Sequence, residues 1–146
     1  MKGSKIVNEL NIEENELRNE KFIKEFESWL KKQKLAAKTI KKHISNVNLF
    51  LNDYLPYYEG ETMEEGISSV YTFLGDWFIR KCLWSSKTSI KETAASIKKF
   101  YKCMNELGHI DNEQYNFVSF TIKENMDEFL AALEEYEDED DMWDYL

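Results

Sequence analysis

Two clusters of side chains in this chain have the chemistry to hold phosphate. The first is Lys38, Thr39, Lys41 and Lys42, with His43 beside them. The second is Ser86, Lys87 and Thr88, followed by Lys91, Lys98 and Lys102. Ammonium groups neutralise phosphate charge, hydroxyls donate to its oxygens, and the unpaired amides of a helix start favour the same anion. Lys91, Lys98 and Lys102 recur at helical spacing with Ala95 between them, so a helix would set them along one side. The same pattern also describes a solvated helix face, and both readings stand on the residues alone. His43 likewise has two readings, a phosphate contact or a cover for the edge of the core.

No other cluster suggests chemistry. Cys82 and Cys103 fit neither a disulfide framework nor a zinc motif. Each falls in or beside an apolar stripe and reads as a small buried hydrophobe. The acidic C-terminal end lacks the D-x-D-x-D-G spacing of a calcium loop. No metal and no cofactor is expected. The tryptophans and tyrosines sit mostly at core spacing, which sets them apart from base-stacking platforms.

The formal net charge of −9 argues against an anionic partner until its distribution is followed. Residues 134–146 hold eight acids and no base. Residues 21–42 carry eight lysines against two glutamates, and residues 80–102 carry seven bases against one acid, each a net of +6. Residues 43–79 carry six acids and no lysine or arginine. Two basic segments therefore enclose an acidic one, and the acidic end stands apart. Eight like charges repel, so a free end should be extended and solvated. It could also compete for the basic face, or dock a protein partner through Met142, Trp143 and Tyr145.

The elements that must position these groups are helices. One proline and five glycines in 146 residues leave few breakers. Residues 1–18 read as an N-terminal arm or short helix. Phe22, Phe26, Trp29 and Leu30 predict a helix over about 19–33. Ile40, Ile44, Val47, Leu51 and Tyr54 predict one over about 37–54, ending before Pro56. An aromatic helix follows over about 67–82. Ser85 or Ser86 can cap the next, whose stripe is Ile90, Ala94, Ile97, Tyr101 and Met104, and Gly108 can close it. Asp111 can cap a short helix over about 112–120, and a last one spans about 121–136. Ile44, Val47, Leu51, Trp77, Ile97 and Tyr101 are expected in one core. No segment has the length and apolarity of a membrane span, and nothing in the first residues looks like a signal peptide, so a cytoplasmic location away from membranes is expected.

Two blocks carry a resemblance. "KTIKKHISNVNLFLNDYL" and "SSKTSIKETAASIKKFYKCMNELGHI" each pass from a Lys-Thr into a long amphipathic helix. Together they resemble the core-binding domain of tyrosine recombinases, the SAM-like N-terminal module of phage integrases. Thr39 and Thr88 match its two threonines; Phe100, Tyr101, Gly108 and Ile110 match the end of its second helix. His43 stands where the family often has an aromatic. The likeness covers roughly Phe22 to Ile110. It implies an all-α, compact orthogonal helical bundle over residues 19–110; the residues beyond read as a C-terminal helical extension over 111–136 and an acidic tail over 137–146. It also implies that the two helices line double-stranded DNA, through Lys38, Thr39, Lys41, Lys42, His43, Ser86, Lys87, Thr88, Lys91, Lys98 and Lys102.

The family's reaction uses a further domain with an arginine, a lysine, a His-x-x-Arg and a nucleophilic tyrosine, which attack the phosphodiester and stabilise the charge growing on phosphorus. These 146 residues hold only Arg18 and Arg80, and neither follows a histidine by three. The chain is therefore expected to be no enzyme by itself. It reads as a stand-alone DNA-binding module linked to DNA integration and recombination by mobile elements. The alternative is a protein-interaction or adaptor module that uses the same helices as a scaffold and its acidic end as the contact.

Overall fold

The computed structural model describes the backbone of residues 9–143 and the side chains of residues 12–138. Among them every regular element is helical, with no strand. Five rods form the fold. They are α1 (Glu9–Lys32), α2 (Ala37–Asn48, continued by a wider π-helical winding over Leu49–Glu59), α3 (65–81), α4 (Lys87–Glu106) and α5 (Asn112–Trp143). Within α3 a 3₁₀ turn, two short α-helical stretches and a π-helical segment, Phe73–Trp77, follow one another.

The apolar stripes assemble the core. Val47, Leu51, Trp77, Ile97 and Tyr101 are all buried in one cluster, and Ile44 packs half-buried against it. α4 is the central rod and touches all four others. It buries Ile90, Ala94, Ile97, Phe100, Tyr101 and Met104. Rings fill the space between α2, α3 and α4. Phe50 and Tyr54 each lie 5.0 Å from Phe73, and Phe100 meets Tyr101 edge-on at 5.3 Å. The buried Tyr101 hydroxyl donates to the Met63 carbonyl at 2.8 Å.

The caps follow the sequence. Ser86 and Ser89 exchange amide-to-hydroxyl bonds of 2.7 and 3.0 Å at the start of α4. α4 ends in a Schellman turn with Gly108 at φ +83°, where the His109 amide donates to the Met104 carbonyl at 2.9 Å. Asp111 and Gln114 cap α5 reciprocally at 2.8 and 2.9 Å.

Three elements differ from expectation. α1 begins at least as early as Glu9, passing through the expected arm, because no glycine or proline interrupts 9–32. Residues 1–8 of that arm lie outside the described residues. The helices expected over 112–120 and 121–136 are one rod, since again no breaker separates them. Its backbone stays helical through Trp143, so the acidic end is helical that far rather than extended. Glutamate is a good helix former, and extending a helix already in place avoids the cost of nucleation.

The third difference is at Pro56, which lies inside the rod and is buried. In a π-helical winding each carbonyl takes its bond from the amide five residues on. For Leu51 that amide would be Pro56, which has no N–H. Asn19 of α1 supplies the missing donor: its Nδ2 donates to the Leu51 carbonyl at 3.2 Å and to Asn52 Oδ1 at 2.9 Å. Gly66 is held tightly against the same segment, since a Cβ there would lie 2.4 Å from Leu55 Cδ1.

Two outcomes follow for stability. Asn19→Ala strands the buried Leu51 carbonyl and should cost about 1–3 kcal/mol in urea unfolding. Ile97→Ala opens a cavity at a site only 1% exposed and should cost about 2–5 kcal/mol. A near-neutral Asn19→Ala would show that the Leu51 carbonyl does not depend on it.

Candidate nucleic-acid interface

α2 and α4 run side by side and enclose a groove of about 350 Å³. Lys38, Thr39, Lys42 and His43 line it from α2, and Glu92, Ala95 and Ser96 from α4. Its floor is polar. Ser96 is fully buried and its hydroxyl donates to the Glu92 carbonyl at 3.0 Å. With that proton spent, the Ser96 oxygen accepts from Asn46 Nδ2 at 3.0 Å. His43 Nδ1, 2.8 Å from the same oxygen, is then the donor, which leaves the neutral ring with Nε2 as an acceptor. Burial, then the charge of Lys99, lowers the His43 pKa from 6.5; Glu92 opposes this and Lys42 adds to it.

At the rim Lys42 Nζ pairs with Glu92 Oε2 at 2.5 Å. Both side chains are about half exposed, so the pair contributes under about 1 kcal/mol. Lys38 and Thr39 are exposed on the same side. Lys41 is exposed too, but at about 100° per residue it stands some 200° round α2 from His43, on the flank away from α4.

On α4, Lys87, Lys91, Lys98 and Lys102 are exposed and fall within roughly 60° of one another around the axis. Lys91, Lys98 and Lys102 have no ion pair among the described residues. Lys87 does: its ammonium pairs with Glu134 of α5, and that bond, with the charges of Glu134 and Glu137, raises its pKa. Ser86 spends its acceptor on the Ser89 amide, and Thr88 is exposed in the first turn.

The groove thus gathers Lys38, Thr39, Lys42 and His43 against α4. Round α4, Thr88 and Lys99 lie between the groove residues Glu92 and Ser96 and the stripe of Lys91, Lys98 and Lys102, with Ala95 at the groove's edge. The sequence-based set leaves out Asn46, Ser96, Glu92 and Lys99. Their signal is a polar break in each apolar stripe at matching depth, Asn46 three residues after His43 and Ser96 four after Glu92.

The remaining candidates fall elsewhere. Cys82 and Cys103 are buried, and burial pushes their thiols up to about 11 and about 12, away from thiolate chemistry. His109 pairs with Glu25 at 3.0 Å, far in the sequence from the groove residues of α2 and α4. Among the described residues no acid, histidine and cysteine cluster has the makings of a metal site, and no helix is long and apolar enough to cross a membrane. The side chains of Met142, Trp143 and Tyr145 lie outside the described residues. No family model, no curated protein and no solved structure matches the chain.

The groove makes a pH prediction independent of any ligand. His43 binds its proton less readily in the fold than in the unfolded chain, so its contribution to stability is present above about pH 6.5 and is lost as pH falls towards the lowered native value. Between pH 7 and 5 the wild type should lose more stability than His43→Gln in urea titrations. Equal losses would show that the imidazole is not held neutral by its surroundings.

Proposed function

We propose that this chain is a stand-alone module that binds double-stranded DNA through its phosphates and carries no catalysis of its own. The observation that supports the reading best is the unpaired stripe of Lys91, Lys98 and Lys102, flanked across Thr88 and Lys99 by the groove that holds Lys38, Thr39, Lys42 and His43. From Lys91 to Lys102 the stripe covers about 16 Å, long enough to meet more than one phosphate of a duplex strand. In this reading Thr39, Thr88 and the free hydroxyl proton of Ser86 orient phosphates, while the lysines neutralise them. Lys87 joins the surface when Glu134 releases it. Lys41, on the outer flank of α2, contributes only to the field.

The arrangement fits the likeness to the SAM-like core-binding module of integrases, and with it a cytoplasmic role in recombination of mobile elements, as an accessory to a partner that does the chemistry. A protein-interaction module is the second reading. It is favoured by Phe117 and Phe120, which are 50% and 64% exposed on the outer side of α5.

A salt series of binding to a duplex of about 20 base pairs tests the reading. Affinity should fall steeply as salt rises, and the logarithmic slope should lessen by about 0.9 for each phosphate contact removed. Lys91→Gln with Lys98→Gln should weaken binding and flatten the slope. Glu134→Gln with Glu137→Gln should strengthen it, most at low salt, because the acids that compete for Lys87 are gone. No binding by the wild type at low salt would sink the DNA reading and leave the adaptor.

A further inference from the structure

The turn that joins α3 to α4 displays the most exposed apolar side chain of the described residues. Leu83 is 101% exposed and Trp84 beside it is 61% exposed. Single exposed apolar residues are ordinary, but a leucine and a tryptophan side by side on a fixed turn are less so. The turn is fixed by several bonds. The Ser85 amide donates to the Cys82 carbonyl at 3.0 Å, and its hydroxyl to the Ile79 carbonyl at 3.3 Å. The Ser89 hydroxyl shares its one proton between the Trp84 carbonyl at 3.2 Å and the Ser86 carbonyl at 3.1 Å, which ties the turn to the cap of α4. One edge of Trp84 rests on Phe78, with ring centroids 6.4 Å apart and planes at 89°. The two side chains are therefore held out from the body and cannot fold back onto it cheaply.

Basic residues stand on both sides of them in the sequence. Lys81 Nζ lies 6.0 Å from the centre of the exposed Tyr58 ring. Lys87 follows on the other side, and beyond it the lysine stripe runs along α4. Two of the bases carry acids, Asp76 on Arg80 at 2.8 Å and Glu134 on Lys87, and the charge of Asp53 reaches Cys82 beside the tip. An apolar tip at the end of a line of cations fits an anion that offers an apolar slot, which in duplex DNA is the gap between stacked base pairs.

We propose that Leu83 and Trp84 form a wedge that enters a base step of the duplex whose phosphates the α4 lysines hold, unstacking and kinking it there. This rests on the DNA reading above and adds where and how the duplex is deformed. A lipid surface also favours leucine, tryptophan and lysine together. One feature favours DNA: the lysines extend away from the tip in a line, as a strand of phosphates requires, rather than around it. The wedge carries no sequence code beyond a preference for easily unstacked pyrimidine–purine steps.

The test uses the full chain, a duplex of about 20 base pairs with a dye at each end, and vesicles of phosphatidylserine and phosphatidylcholine. The wild type should shorten the end-to-end distance on binding. Leu83→Ala and Trp84→Ala should each weaken binding roughly tenfold or more and reduce the kink, with the salt slope unchanged, because they remove no phosphate contact. Lys91→Gln with Lys98→Gln should flatten the slope and still kink the DNA it binds. Leu83 touches nothing it would destabilise, so Leu83→Ala decides the matter even if Trp84→Ala unfolds. If the wild type binds DNA and Leu83→Ala binds and bends it equally well, the wedge is refuted while the DNA reading stands. If the wild type binds no duplex, both fail. Binding of the wild type to the vesicles but not to the duplex, lost in Leu83→Ala, assigns the tip to lipid and overturns the proposal.

Discussion

The bond between Asn19 and the Leu51 carbonyl solves a problem that the rest of the bundle depends on. Pro56 sits where a helix interior would ordinarily break, removing a donor and crowding the preceding turn. A wider winding relieves the crowding but leaves a buried carbonyl without its amide. Asn19 lends one from another helix, so α1 is tied to α2 at the point where α2 is weakest. The consequence reaches further than the bond. Along the wider winding over 49–59, Phe50, Tyr54 and Tyr58 take successive positions facing α3, and α3 carries its own π-helical segment over Phe73–Trp77. Tyr54 meets Trp77 at 5.3 Å, and Tyr58 meets it at 5.4 Å. Two irregular windings meet through these rings.

That aromatic layer sets where α4 lies, and α4 sets the surface. Its apolar side is so fully used by four neighbours that its lysines have only one arc left. Ser96 marks the edge of that arc. It is buried, yet it satisfies His43 and Asn46 and so stitches α2 to α4 with polar bonds where the apolar stripes end. The imidazole is thereby fixed with its donor inward. A neutral ring whose acceptor nitrogen lines a lysine-rimmed groove is a modest structural strut at neutral pH, and a cation in a basic groove below it.

The sequence made the regular parts legible and the exceptions obscure, for identifiable reasons. Stripes at steps of four and three placed α2 and α4 and their core residues, because burial on one side of a helix leaves that trace. Caps were legible at Ser86, Gly108 and Asp111, where local bonding decides the conformation. Rod lengths were not, because the absence of a breaker says nothing about where a helix stops once neighbours support it. Asn19 was hidden because its stripe begins with a polar residue; its burial has meaning only beside Pro56, 37 positions away. The lysine positions could be read, but not that Lys42 and Lys87 are engaged by Glu92 and Glu134, or that Lys41 turns aside. Leu83 and Trp84 leave no such trace in the sequence, since exposure is a property of the assembled surface.

The charge pattern then has a physical account. A lysine stripe survives in a chain of net −9 because folding separates the signs. The acidic stretch stays helical on α5, and of it Glu134 reaches Lys87 while Glu137 adds its field. An ion pair between two side chains each 56% exposed contributes little and weakens with salt. Phosphates arriving in a row gain more, since each lysine they engage releases a counterion from the duplex. The acid on α5 can thus raise the threshold for an anionic partner at the start of α4 without closing the surface; among the described residues it forms no ion pair with Lys91, Lys98 or Lys102. Competition confined to one end of the stripe favours a partner long enough to engage the other end first, which a duplex is and a single free phosphate is not.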